Sequence, residues 1–165
     1  MQGDEPEKNP KSSSGNLMRD MMHSSSAIKR GDVSQAEELL NSLLSGTISI
    51  LDTNARKPRI ENFYHDLLQG LFAGTRTWLC RLNAESGDGF SDILIYTDDP
   101  DQGIIIEVEY SDSPAGPERD DQKAITQIKE RNYAEKFRSE GIYNNMVYCI
   151  AFFWKRCRIA LESPI

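Results

Sequence analysis

Gly103-Ile104-Ile105-Ile106-Glu107-Val108-Glu109-Tyr110 is the stretch on which the reading of this chain turns. Three consecutive isoleucines favour a buried strand, yet carboxylates follow at once and again two residues later. Side chains alternate along a strand, so Ile105, Glu107 and Glu109 project from one face, and Ile104, Ile106, Val108 and Tyr110 from the other. Two acids on one face of an otherwise apolar strand are costly unless water, a partner or a metal ion neutralises them. The pattern therefore marks a site as well as a strand.

A second acid-bearing strand precedes it. The segment Glu85-Ser86-Gly87-Asp88-Gly89-Phe90-Ser91-Asp92 leads into an apolar run, and strand-like segments are expected at about 76–83, 91–97 and 103–110. Between the last two, Thr97-Asp98-Asp99-Pro100-Asp101-Gln102-Gly103 has the turn chemistry of a hairpin loop. These strands are therefore expected to be antiparallel neighbours, bringing Asp92 within reach of Glu107.

Helical periodicity is clearest at 58–73, where Ile60, Phe63, Tyr64, Leu67, Leu68, Leu71 and Phe72 recur at three- and four-residue steps. Pro58 suits the first turn and Gly74 the end. Glu61 lies seven residues before Leu68, hence at nearly the same azimuth and within the apolar face. A first-turn acid stabilised by the helix dipole accounts for it equally simply. After a loop at Ser111–Pro117, a long helix is expected at about 118–140, with Ala124, Ile125, Ile128, Ala134 and Phe137 on its apolar side and Gly141 ending it. Strands at about 145–153 and 156–162 close the order of helix, three strands, helix, two strands.

Upstream, residues 1–15 read as a disordered tail, with a Ser12-Ser13-Ser14 run and almost no apolar side chains. Residues 16–57 read as a helical lead-in: a short helix containing Leu17, Met18, Met21 and Met22, closed by Lys29-Arg30-Gly31, then a second helix capped by Asp32 with Gln35 at the capping-box position. Residues 58–165 form the core domain.

Composition sets the outer bounds. At 165 residues with 38% hydrophobic and 27% charged residues, the chain suits one globular domain with a substantial core. No apolar run approaches the roughly 20 residues a membrane helix needs, so no membrane partner is expected. The start lacks the apolar core of a secretory signal, and a cytoplasmic location follows. Cys80, Cys149 and Cys157 are odd in number, lack CxxC spacing and fall in expected strands, which favours free thiols over a zinc site. The net charge of −7 opposes general attraction to nucleic acid. Basic residues nevertheless gather in the C-terminal half, at Lys123, Lys129, Arg131, Lys136 and Arg138, and then at Lys155, Arg156 and Arg158. A solvated helix face and a charged turn are the ordinary explanation for such runs.

An Asp and a Glu on paired strands, with a third acid from a neighbouring helix, make an all-oxygen set suited to Mg²⁺ or Mn²⁺. Without a cation, acids about 5 Å apart repel by ~3 kcal/mol at an effective dielectric near 20. A glycosidase pair is the rival carboxylate chemistry. No aromatic-rich sugar cleft is evident near these strands.

The element order and these residues together resemble the PD-(D/E)XK nuclease superfamily, and more closely the nuclease-like domains often found downstream of an AAA-ATPase-like domain. The resemblance covers about residues 30–162. It rests on Glu61-Asn62-Phe63-Tyr64-His65, Glu85 to Asp92, Ile104 to Glu109, Gln127-Ile128-Lys129-Glu130-Arg131-Asn132-Tyr133-Ala134, and Cys149-Ile150-Ala151-Phe152-Phe153-Trp154. It implies an α+β, restriction-endonuclease-like αβββαβ core with a mixed central sheet flanked by helices. It also implies Asp92 and Glu107 as metal-binding acids, Glu61 as an additional helix carboxylate, and Gln127 and Tyr133 in supporting or substrate-contacting roles. The substrate would be nucleic acid, and relatives suggest an ATPase-like partner or fused domain, although this chain contains no P-loop. The departure is Glu109, where the family motif has Lys. Glu109 acting as a base or outer ligand, a lysine such as Lys123 or Lys129 reaching in, and loss of hydrolysis with retention of a binding fold are the open outcomes.

Overall fold

The strand that combines three isoleucines with two acids becomes the centre of a five-stranded sheet. A computed structural model describes residues 11–47, 57–82, 93–111 and 137–162, and at 11–15, 47, 57–59 and 61 the backbone alone. The elements are α1 (Lys11–Arg30), α2 (Val33–Thr47), α3 (Lys57–Ala73), β1 (Leu79–Leu82), β2 (Ile93–Tyr96), β3 (Gln102–Tyr110), β4 (Asn144–Phe153) and β5 (Arg156–Glu162). The strands lie in the order β1-β2-β3-β4-β5. All neighbours are antiparallel except β3 and β4, which run parallel, so the sheet is mixed.

The expected hairpin is present. Ile93 pairs with Ile106 and Tyr96 with Gly103. The connecting turn is held by Gln102 N donating to Asp99 O at 3.0 Å, and by Asp101 N donating to Asp99 Oδ1 at 3.0 Å. The expected helix at 118–140 lies outside the described residues except for a final helical turn at 137–139. There Ile142 N donates to Phe137 O at 2.9 Å, and Gly141 adopts φ 84°, the left-handed value a helix-ending glycine permits.

One face of the sheet carries the main core. Ile104, Ile106, Val108 and Tyr110 of β3 join Tyr148, Ile150 and Phe152 of β4, and α1, α2 and α3 all contribute to this cluster. Tyr64 of α3 stacks on Phe152 at 4.2 Å between ring centroids and lies 6.0 Å from Tyr110.

The two upstream helices contribute to this core. Ala27, Ile28, Ala36, Leu40, Leu43 and Leu44 are buried in the cluster that holds the strands. Helix α1 begins at Lys11, so its first turn falls inside the stretch that composition reads as tail. Asp32 caps α2 as expected, accepting from Gln35 N at 3.1 Å. Polar contacts then tie both helices to the strands, α1 through its backbone carbonyls and α2 through its side chains. Tyr148 Oη donates to Ile28 O at 2.6 Å, and Gln102 Nε2 donates to Lys29 O at 2.9 Å. Asn41 reads edge strand β5 like a short strand: its Nδ2 donates to Cys157 O at 3.1 Å, and its Oδ1 accepts from Cys157 N at 2.8 Å. Glu37 accepts from Ile159 N at 2.9 Å, satisfying another donor of that edge. The Lys29 ammonium lies 2.6 Å from Asp98 and holds that carboxyl below the usual carboxylate range.

No helix among the described residues is long and apolar enough to cross a membrane. All three cysteines are free. Burial pushes the Cys80 thiol up to about 11 and the Cys157 thiol up to about 12, so both stay protonated and behave as small apolar groups.

Candidate active site

The opposite face of β3 is built differently. It opens with Gly103, where a Cβ would lie 2.8 Å from the Phe137 ring, so only glycine allows that ring to approach. Ile105 follows, packed with Leu94, Phe137 and Ile142 in a second, smaller cluster. By strand alternation Glu107 comes next on this face and Glu109 after it. The sequence-derived division of β3 into an isoleucine face and an acid face is therefore what the two clusters display.

Glu107 is 4% exposed and is the one acid among the described residues that is buried. Glu109 is half-buried. The face thus grades from an aromatic lid over glycine, through isoleucine, to a buried carboxylate and then a wetter one. Two carboxylates on one strand face form a hard-oxygen donor set, whose chemistry fits Mg²⁺ or Mn²⁺. Among the described residues no group of three His, Cys, Asp or Glu side chains is assembled, so the two acids of β3 are the described part of the site.

The other site residues are placed as follows. Asp92 lies outside the described residues; it directly precedes Ile93, the first residue of β2, which pairs with Ile106 beside Glu107. Gln127 and Tyr133 also lie outside them, as do Lys123 and Lys129. Glu61 belongs to α3, and only its backbone is described. Helix α3 meets the sheet on the isoleucine face, near the C-terminal end of β3 where Tyr64 faces Tyr110.

Two side chains of this end of the sheet received no role from the sequence. His65 is 8% exposed, and its Nε2 has no hydrogen-bond partner among the described residues, while Nδ1 lies 3.8 Å from the exposed Asp66 carboxylate. Its position next to Tyr64 on the apolar helix face was the available signal. Trp154 occupies the β4–β5 turn with φ 49°. Its signal was a two-residue hairpin connection that contains no glycine.

A mixed sheet with helices on it, an acid-bearing β2–β3 hairpin and a parallel β3–β4 pair define an α+β, restriction-endonuclease-like fold. The chain belongs to the PD-(D/E)XK nuclease superfamily, whose family model matches residues 59–162. The matched region begins within α3 and excludes α1 and α2, although both helices contribute to the same core. No curated protein and no solved structure matches the chain.

Proposed function

We propose that this chain is a divalent-metal-dependent nuclease domain that hydrolyses phosphodiester bonds in nucleic acid. The observation that carries the reading is the buried Glu107, followed on the same face by Glu109, at the centre of a superfamily fold. Burying a carboxylate calls for compensation by charge or hydrogen bonds, and a divalent cation is a compensation that the fold of this superfamily is suited to hold.

Asp92 and Glu107 would hold Mg²⁺ or Mn²⁺ on the acid face, and Glu61, on a helix that meets the other face, would assist by reaching past the end of β3. When bound, the cation supplies charge neutralisation at the scissile phosphate and makes a coordinated water more acidic. Glu109 stands where the motif has Lys, which changes the local charge by two units. In this reading it accepts a proton from the attacking water or holds an outer-shell water in place. Gln127 and Tyr133 support the site or contact substrate. Free thiols throughout fit a reducing, cytoplasmic setting.

The test is cleavage of single-stranded DNA, double-stranded DNA and RNA with Mg²⁺ or Mn²⁺, beside Asp92→Ala and Glu107→Gln. Metal-dependent cleavage falling at least about 100-fold in both variants is expected. Absence of cleavage by the folded protein, or equal rates in the variants, overturns the reading.

Glu109 itself favours one alternative, a nuclease fold retained for binding without hydrolysis. Glu109→Lys separates the two. Cleavage created where the native chain has none marks an intact but inactive site, whereas loss of an existing activity makes Glu109 a participant.

A further inference from the structure

Trp154 and Lys155 are the two central residues of the β4–β5 hairpin, between the paired Phe153 and Arg156. Positive φ at the first central position is the geometry that hairpins ordinarily reserve for glycine. Here a tryptophan holds it, with φ 49°, as the one non-glycine residue with positive φ among the described residues. A bulky side chain in this region is strained and persists only when its surroundings impose it. The surroundings are visible: the Tyr64 hydroxyl of α3 donates to the Trp154 carbonyl, and the Tyr64 ring is itself clamped on Phe152.

The strain serves no burial. The Trp154 side chain is 52% exposed, in contrast to Trp78, which is buried against Phe72. Its neighbours are cationic, with Lys155 half-buried and Arg156 exposed, while the exposed Arg158 is paired with Glu37 at 3.2 Å, in a chain whose net charge is −7. Position relative to the acids follows from the register. Glu109 pairs with Ala151 and Tyr110 with Phe152, so Trp154 stands three residues beyond the level of Glu109 on the adjacent strand. That is about 10 Å along the strand at ~3.3 Å per residue.

An exposed indole on a rigid turn, flanked by cations and close to a phosphodiesterase site, has the composition of a platform for an unpaired base. The ring face stacks on any base, and the cations meet the adjoining phosphates. We infer that Trp154, with Lys155 and Arg156, forms a stacking contact for single-stranded nucleic acid beyond the C-terminal end of β3. The inference rests on the nuclease reading for the choice of partner, and it names the strand state that the site receives.

The test uses the full chain in EDTA, so that binding is read without cleavage. A fluorescein-labelled 20-nucleotide oligo(dT) and a duplex of the same length are titrated into the native protein, Trp154→Gly and Trp154→Phe. Anisotropy and intrinsic tryptophan fluorescence are recorded. Oligo(dT) is expected to quench the native protein's fluorescence and to bind it more tightly than the duplex. Trp154→Gly should weaken oligo(dT) binding about 10-fold and abolish the quenching, since Trp78 is buried, while Trp154→Phe retains binding within about threefold. The melting temperature of Trp154→Gly should equal or exceed that of the native chain, because glycine relieves the backbone.

Equal oligo(dT) affinity of native and Trp154→Gly proteins, unquenched native fluorescence, or preference for duplex overturns the inference. The two readings fail separately. Trp154-dependent binding without cleavage in Mg²⁺ or Mn²⁺ removes the nuclease and leaves the platform. Cleavage with binding that ignores Trp154 does the reverse. If Trp154→Gly does not fold, Trp154→Phe and quenching of the native protein still decide.

Discussion

On one side of β3, Ile104, Ile106, Val108 and Tyr110 pack into a continuous core with three helices, whereas on the other side Gly103 and Ile105 meet a smaller cluster before Glu107 and Glu109 replace apolar residues. Burial does not separate the two sides, since Glu107 is as inaccessible as Val108. Chemistry does. Each apolar side chain on the helix-covered face gains free energy on leaving water, while a carboxylate on the acid face loses hydration that packing cannot return. The same backbone therefore carries one surface that packing stabilises and one whose acids need compensation of another kind.

The sharpest way to separate the faces is to damage each alone. Phe152→Ala on the helix-covered face removes a fully buried ring stacked on Tyr64, and a loss of about 3–5 kcal/mol in urea unfolding is expected. Glu107→Gln on the acid face is the counterpart. It keeps the side-chain shape, so its expected effect is the roughly 100-fold or greater loss of cleavage given above, with the urea midpoint moving far less than in Phe152→Ala. Similar destabilisation by the two variants would dissolve the distinction between the faces.

A smaller effect sharpens the comparison through pH. Cys157 is buried on the helix-covered side, and burial raises its thiol from 9.0 to about 12, with the nearby Glu37 carboxylate adding to the shift. A folded value above the unfolded one means that the stability is present below pH 9 and is lost as pH rises through the window from 9 to 12. Unfolding free energy should fall by about 1 kcal/mol between pH 9 and pH 10. Cys157→Ala should remove that share of the slope and leave the share contributed by Cys80, whose thiol burial also raises, and an unchanged slope would show that Cys157 is not a cause.

Much of this architecture was readable locally. The spacing of Tyr64, Leu68, Leu71 and Phe72 announced α3, and the Asp32 cap was visible from Asp32 and Gln35. The turn residues between Thr97 and Gly103 announced the β2–β3 hairpin. The acids of β3 were legible for the same reason, because period-two alternation is a property of the strand itself. Asp92 was legible from the same hairpin and Glu61 from its azimuth on α3, while Gln127 and Tyr133 came from likeness alone, and the side chains that would test all four roles are not among those described.

Other features depend on residues far apart in the chain. The grouping of α1 and α2 as a lead-in followed from their position upstream of the clearest helical periodicity, at 58–73. Their place in the core was decided by Asn41 and Glu37 meeting β5 more than a hundred residues later. Trp154 likewise fell in the short connection between two expected strands, and only the Tyr64 hydroxyl and the hairpin register fixed it in a strained, exposed turn. The sequence by itself determined α2, α3, the hairpin and the two-faced character of β3, because each is set by neighbours within a few residues. Only the tertiary structure decided the parallel β3–β4 pairing, the cover on β5 and the setting of Trp154, because each is a contact whose partners the chain brings together only when folded.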